Sequence, residues 1–485
     1  MCGIVGIVAK EKIEGNYIVE MLKAIEHRGK DGYGFYIDGD VYYNNYPNKD
    51  INKIALAHCR LAIVGNREQP IIMDNCVLVC NGEIYNYEDL EKRYNLNVGT
   101  DVEVILPLYK IGMLKELDGD FAFAIYDNNR LILGRDFIGV KPLFFVNSEK
   151  YFAFASERKA LWKLLIELDG IEKDIDKLNS KINRVEPNSI LIYDINNHKY
   201  NSKRIKDFDI KSLNIDYKEA KNILENKIKR AVYKRVKGLK KVGIIFSGGV
   251  DSSLITVLAS KYTDVVLYTV GIEGSEDLYY AERLAKELNL PLKKKIIREE
   301  EYEKYLLKVV KAIDELDLMK IGVGLPIYIA SELANKDGIK VILAGQGADE
   351  LFAGYAKYLK LDKNELEKKL IEDVINISKV NLERDDHCSM ANTVELRVPY
   401  LDEDVIKFSL SLPIEYKISK ERKRILRDIA KNYLPDYIAY RKKKAAQYGS
   451  GGEKIIYNVA KKYGFSKRKI KEFLEFLKKV IQTQL

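Results

Sequence analysis

Three short stretches of the 485-residue chain hold residues whose types and spacing could do chemistry. The first is the opening, MCGIVGIVAK, which sets Cys2 directly behind the initiator methionine and follows it with an apolar, glycine-punctuated run. Three readings compete for it: a secretion signal, a first strand with a chance cysteine, or a catalytic cysteine that becomes the new N-terminus. The second is IIFSGGVDSS, in which an apolar strand runs into Ser247, Gly248 and Gly249 and a helix begins near Asp251 and Ser252. Adjacent glycines let main-chain N–H groups converge, and the helix N-terminus adds partial positive charge, so the spot suits an anion such as pyrophosphate. Asp251 would repel that anion unless a Mg²⁺ lay between them. The third stretch, VILAGQGADELFAGY, repeats the pattern with Asp349 and Glu350. At the carboxyl end of a neighbouring strand these acids would face the same crevice, with Asp349 as second metal ligand.

The elements that must position these groups follow two grammars. To about residue 200 the chain reads as short β segments separated by turns, for example CVLVCNGEIYNY and DFAFAIYDNNRLILGRD, with DNNR as hairpin-turn chemistry. Helical stretches interrupt it near YIVEMLKAIEH and DVEVILPLYKIGMLKEL. This predicts an α+β domain of stacked antiparallel sheets with helices over residues 2–205. From SLNIDYKEAKN onward strands alternate with helices, which predicts an α/β domain with a parallel sheet over residues 215–485.

Composition bounds the rest. Hydrophobic residues make up 47% and charged residues 32%, as in a soluble globular protein. No apolar run reaches the roughly 18 residues of a membrane span. The opening lacks a basic segment before its apolar core, and Lys10, Glu11 and Lys12 close it early, so no signal peptide and a cytoplasmic location are expected. Cys76 and Cys80 stand four apart on one face of a strand and read as small buried hydrophobes, and the four scattered histidines offer no zinc set. The net charge of +9 invites a nucleic-acid partner, but the lysines are interleaved with glutamates, as on solvated helix faces. The basic tail carries Phe473, Leu474, Leu477, Val480 and Ile481 at helical spacing, which predicts a packed terminal helix and no nucleic-acid partner.

The motifs carry family resemblances. SGG-x-D-S-S, with no following Gly-Lys-Ser/Thr of a Walker A loop, resembles the PP-loop of ATP pyrophosphatases. MCGIVGI with EHRGKDGYG, AHCRLAIVG, CNGEIYNYEDL, GTDVEVIL and LDGDFAFAIYD resembles, in order and spacing, the class II glutamine amidotransferase domain of N-terminal-nucleophile fold. That resemblance implies that methionine removal leaves Cys2 with a free α-amine. Such amines titrate at about 7.7–8.0, so near neutral pH a useful fraction is unprotonated and can deprotonate the adjacent thiol. The resemblance also implies an oxyanion site from the Asn81 side chain and the Gly82 N–H. A glutamine pocket would be formed by Arg60, Leu61, Ala62, Ile63, Val64 and Glu83, with Asp101 facing the α-ammonium.

With GRDFIGVKPLFF, FASERKAL, DDHCSMANTVELRVPYLD and RKKKAAQYGSG added, the whole chain resembles the glutamine-hydrolysing asparagine synthetase family. The resemblance implies ATP contacts at Phe246, Ser247, Gly248, Gly249, Asp251, Ser252, Val270, Ala344, Gly345 and Lys443, with Mg²⁺ at Asp251 and Asp349. The adenylate-forming site would include Gln346, where several relatives carry glutamate. The expected substrates are glutamine, aspartate and ATP, with no membrane partner, and a homodimer is compatible with the family. Rival acceptors are another carboxylate or, on charge alone, RNA.

Overall fold

The computed structural model of the chain describes residues 2–65, 67–419, 421–442 and 451–482, with the side chains of 481 and 482 outside the description. The residues divide into two compact units. One comprises the chain to Asp207, Met390–Thr393 and the described residues from Leu477; the other comprises Phe208–Ser389 and Val394–Phe476.

In the first unit two antiparallel sheets stack. A seven-stranded sheet has Gly3–Ala9 near its centre, between Tyr151–Ala155 and Ile54–Cys59. A six-stranded sheet places Cys76–Ile84 beside Gly119–Asp127. Side chains alternate across a strand, so Ile4 and Val8 of the first sheet meet Val77, Val79, Ala122 and Ala124 of the second in a shared core. The reverse face of the second sheet, with Leu78, Cys80 and Phe123, packs against Leu90, Ile105 and Leu106 from helical segments. Helix Asn16–Ala24 covers the outer face of the first sheet through Ile18, Met21 and Leu22. Strand GIVGIVA is therefore buried on both faces, which explains its unbroken apolar run. DNNR joins Gly119–Asp127 to Arg130–Arg135, with Asn128 in the left-handed region at φ 52°.

Two glycines have a shared physical reason. Gly6 lies directly opposite Phe154 and Gly134 directly opposite Phe123, and a Cβ on either would come within 2.2 Å of the partner ring. The rings lie over the glycines, so each sheet gains aromatic packing where a side chain is missing.

The second unit holds a five-stranded parallel sheet. Its order is Leu292–Ile296, Asp264–Gly271, Lys241–Ile245, Val341–Leu343 and Glu395–Arg397. The chain moves outward to one side after Lys241–Ile245 and later returns to its other side with Val341–Leu343. The two carboxyl ends therefore flank a topological switch point, where a crevice opens. Helix Tyr217–Val236, which precedes the sheet, is started by Asp216, whose side chain accepts from the N–H groups of Lys218 and Glu219. The terminal helix Ile470–Gln482 buries Phe473 and Leu477, with Leu474 half-buried. Among the described residues no helix is long and apolar enough to cross a membrane.

Gly134→Ala should displace the Phe123 ring and destabilise the first unit by about 1–3 kcal/mol, the usual cost of overpacking. Calorimetric unfolding checks this, and an unchanged transition would show that the ring yields freely.

Candidate active sites

Cys2 leads into strand Gly3–Ala9, and the register of Gly3 opposite Cys59 brings Cys2 beside the segment that starts at Arg60. Asn81 and Gly82 lie on strand Cys76–Ile84 of the other sheet. The Cys2 N–H donates to Asn81 Oδ1 at 3.1 Å, so the carboxamide oxygen faces the cysteine. Asn81 is fully buried, and its Nδ2 has no hydrogen-bond partner among the described residues. A buried donor without an acceptor costs free energy unless an oxygen arrives to take it. Gly82 sits where a Cβ would come within 2.5 Å of the Asp120 carbonyl oxygen, so strand pairing there needs glycine.

The Cys2 carbonyl accepts from Arg28 Nε at 3.0 Å, and Arg28 Nη1 donates to Glu157 Oε1 at 2.7 Å. Glu157 also faces His27 at 3.0 Å and Lys159 at 2.7 Å. Burial opposes ionisation of Glu157, but His27, Lys159 and Arg28 together hold its carboxyl well below the usual range. The motifs EHRG and SERKAL contain these residues, but their types resemble ordinary surface charge, and their spacing alone assigns them no role.

The glutamine-pocket candidates are built on close backbone approaches. The Arg60 N–H donates to the Gly32 carbonyl and the Asp31 N–H to the Arg60 carbonyl, both at 2.8 Å. Asp31 also accepts from the Ala62 N–H. Arg60 Nη2 donates to the Gly65 carbonyl at 2.9 Å, and Gly65 abuts Thr100, which precedes Asp101. Asp101 is buried and accepts from the Ile84 N–H at 2.8 Å, three residues beyond Asn81. Leu61 is buried; Ala62, Ile63, Val64 and Glu83 are half-buried. Neighbouring ionisable groups stay neutral: burial and the Arg60 charge push His58 down to about 3, and burial pushes the Cys59 thiol up to about 12 and that of Cys80 well above its usual value.

In the second unit a cavity of about 470 Å³ opens at the switch point. Phe246, Ser247, Asp251, Ser252, Val270, Ala344, Gly345, Gln346 and Asp349 line it. Gly248 (φ 62°) lies under the wall, where a Cβ would come within 2.7 Å of the Tyr280 carbonyl carbon, and Gly249 caps helix Val250–Ala259. A Cβ on Gly345 would come within 2.9 Å of Asp251, which shows how closely the two strand-end loops approach. Lys443 lies outside the described residues.

Asp251 and Asp349 converge on one cation, the Lys423 ammonium, at 2.7 Å each. Burial disfavours the charge on Lys423, but the two carboxylates outweigh it and hold its pKa above the usual value. Asp251 Oδ1 is buried with no hydrogen-bond partner among the described residues. Asp251, with an unspent oxygen, and Asp349 offer the hard carboxylate oxygens that a Mg²⁺ would take, beside the point that the Lys423 ammonium fills. Among the described residues no three ligating side chains gather as a closed metal cage. Glu350, beside this pair, accepts from Tyr355 at 2.7 Å and Asn381 at 2.9 Å, and burial and Asp349 raise its carboxyl to about 7. Lys423 is not apparent from sequence, because SKERKRILRD looks like a solvated basic face.

Gly354 explains how the cluster closes, since a Cβ there would lie 1.9 Å from Asp349 Oδ1 and 2.1 Å from Lys423 Cε. Gly354→Ala should therefore move Asp349 and lower ATP–pyrophosphate exchange by about 100-fold, the scale of an ångström misplacement, with glutamine hydrolysis kept. Exchange within threefold of the parent would show that the cluster tolerates the shift.

A family model described as a glutamine amidotransferase domain matches residues 1–197, and one described as asparagine synthase matches residues 224–372 and 360–463. A Methanocaldococcus jannaschii protein provisionally named asparagine synthetase [glutamine-hydrolyzing] 1 is 54% identical over 542 aligned positions, covering 100% of both chains. A probable asparagine synthetase [glutamine-hydrolyzing] of Acanthamoeba polyphaga mimivirus is 30% identical, over 98% of this chain and 93% of its own. Asparagine synthetase B [glutamine-hydrolyzing] of Escherichia coli is 29% identical, over 93% and 83%.

Proposed function

The chain belongs to the glutamine-hydrolysing asparagine synthetase family, and we propose that it converts ATP, aspartate, glutamine and water to AMP, pyrophosphate, asparagine and glutamate. The observation that carries the reading is Asn81, held by the Cys2 main chain and left with a buried, unspent Nδ2 donor.

In the proposed glutaminase step Met1 is removed, and the α-amine of Cys2 takes the thiol proton. The thiolate adds to the glutamine carboxamide, and the tetrahedral oxyanion is met by Asn81 Nδ2 and the Gly82 N–H. Collapse expels ammonia and leaves a thioester, which water hydrolyses to glutamate. Arg60 and Asp101 carry the charges that match the α-carboxylate and α-ammonium of glutamine. Burial and the Arg60 charge make His58 a weak base, so the proposed base is the Cys2 amine.

In the proposed synthetase step the aspartate side-chain carboxylate attacks the ATP α-phosphorus, releasing pyrophosphate and forming β-aspartyl-adenylate. Hydroxide is a poor leaving group and AMP a good one, which is why the carboxylate is activated before ammonia attacks. Asp251 and Asp349 would hold Mg²⁺, which neutralises developing phosphate charge when bound. Lys423, already between these carboxylates, fixes their separation.

Cys2→Ala should abolish glutaminase activity while asparagine formation from ammonium salts continues. Intact-mass analysis should show active enzyme starting at Cys2; active enzyme that retains Met1 would refute the free-amine step. The synthetase assignment itself is tested by aspartate-dependent ATP–pyrophosphate exchange, and exchange that needs another carboxylate would replace aspartate as acceptor.

Gln346 lines the cavity beside Gly347, at a position where an amide can orient a substrate but cannot accept its proton. Gln346→Glu should therefore keep exchange within about tenfold, roughly 1.4 kcal/mol in barrier. Gln346→Leu, which removes donor and acceptor together, should lose far more. Equal exchange by the parent and Gln346→Leu would make this side chain a spectator.

A further inference from the structure

Arg441 lines the nucleotide cavity but is itself buried, and both terminal nitrogens and one face of its guanidinium are committed. Nη1 donates to the Ser247 carbonyl at 2.8 Å. Nη2 donates to Asp277 Oδ1 at 2.9 Å. The guanidinium carbon stacks 3.9 Å from the centre of the Tyr280 ring. Asp277 and Tyr280 both belong to helix Glu276–Glu287, and it is the Tyr280 main chain on which Gly248 rests. The backbone of Arg441 is held in turn: buried Arg427 donates from Nη2 to the Arg441 carbonyl at 3.1 Å and from Nη1 to the Ala439 carbonyl at 2.6 Å.

We propose that Arg441 is the positioning residue of the phosphate loop, fixing the plane of the Ser247–Gly248 peptide against helix Glu276–Glu287. The peptide group is planar and trans, so its C=O and N–H point in opposite directions. Holding the Ser247 oxygen therefore sets the direction of the Gly248 N–H. Gly248, at φ 62°, has no side chain to restrict it, and a loop of adjacent glycines is otherwise free to rotate that peptide. The same hydrogen bond covers a carbonyl oxygen that would repel phosphate. An arginine is required because one rigid fork must reach a carbonyl and a carboxylate while its face lies on an aromatic ring. An ammonium group makes at most part of this set.

The inference rests on the ATP site of the proposed function, and binding and turnover are measured separately so that the two can fail separately. ATP binding, in excess Mg²⁺, is titrated by calorimetry for the parent, Arg441→Ala, Arg441→Lys and Asp277→Asn, with exchange kinetics and glutaminase activity on the same preparations. Arg441→Ala should weaken ATP binding on the order of 100-fold, the scale of a lost charge-assisted pair of hydrogen bonds in a buried site. The loss should appear mainly in the ATP KM of exchange, and added guanidinium ion should restore at least about a tenth of it, as refilling of the vacated fork. Arg441→Lys should fall between. Asp277→Asn should also weaken ATP binding, because it loosens Arg441 from the helix.

Parent-like ATP binding by Arg441→Ala overturns the proposal. So does tighter or unchanged binding by Asp277→Asn, which would mean that Arg441 leaves the loop to contact phosphate itself. A loss in Arg441→Ala that guanidinium does not restore, with glutaminase intact, also counts against it. Should Arg441→Ala fail to fold, Arg441→Lys and Asp277→Asn decide by the same readouts. A parent that binds ATP but shows no aspartate-dependent exchange would refute the asparagine reading and leave this inference standing.

Discussion

Two carboxylates in the helix starts that follow adjacent parallel strands repel each other, and in this chain the Lys423 ammonium, 2.7 Å from both Asp251 and Asp349, makes their approach possible. Much else in the second unit follows from keeping that triad closed. Lys423 takes up a left-handed backbone at φ 60° and donates its own N–H to the Phe352 carbonyl, which presents the ammonium to the crevice. Gly354 vacates the volume that the Asp349 carboxylate and the lysine stem occupy, and Gly345 lets one loop lie against the other. Coulomb attraction is strengthened where water is excluded, and the two carboxylates outweigh the burial that disfavours the Lys423 charge. Both carboxylates line the cavity at the switch point.

The first unit solves an equivalent problem with the signs reversed. Glu157 is a buried acid surrounded by Arg28, His27 and Lys159, and its charge holds Arg28 against the Cys2 carbonyl. Cys2 is thus fixed through its main chain. Asn81 completes the arrangement by spending its oxygen on Cys2 and keeping its nitrogen available. In both units a buried ion cluster orders the segments around the candidate site residues.

Glycine marks where sheets and loops come too close for side chains. Gly6 and Gly134 lie beneath cross-strand phenylalanine rings, while Gly248 lies under the wall of the cavity and Gly354 lines it. The first pair serves packing and the second serves the site. Sequence cannot separate these roles, because each glycine is defined by what approaches it from elsewhere in the chain.

By itself the sequence determined the local chemistry and its order. Short β segments separated by turns announced the antiparallel half, and the strand–helix alternation announced the parallel half. Ser247-Gly248-Gly249 with Asp251 stood out because a strand end, a glycine turn and a helix start lie within a few residues, whereas Cys2 and Asn81-Gly82 were singled out by the resemblance of their motifs to the amidotransferase family. Asp349 was legible as a second acid because it also follows a strand. Tertiary structure alone decided Lys423, Arg441, Arg28 and Glu157. Asp251 and Lys423 are 172 residues apart, Ser247 and Arg441 194, and Arg28 and Glu157 129. In a chain with 81 lysines and arginines, a basic residue carries no sign of whether it faces water or a buried acid. That distinction is made by burial, which raises the worth of a charge pair and exists only once distant segments have packed.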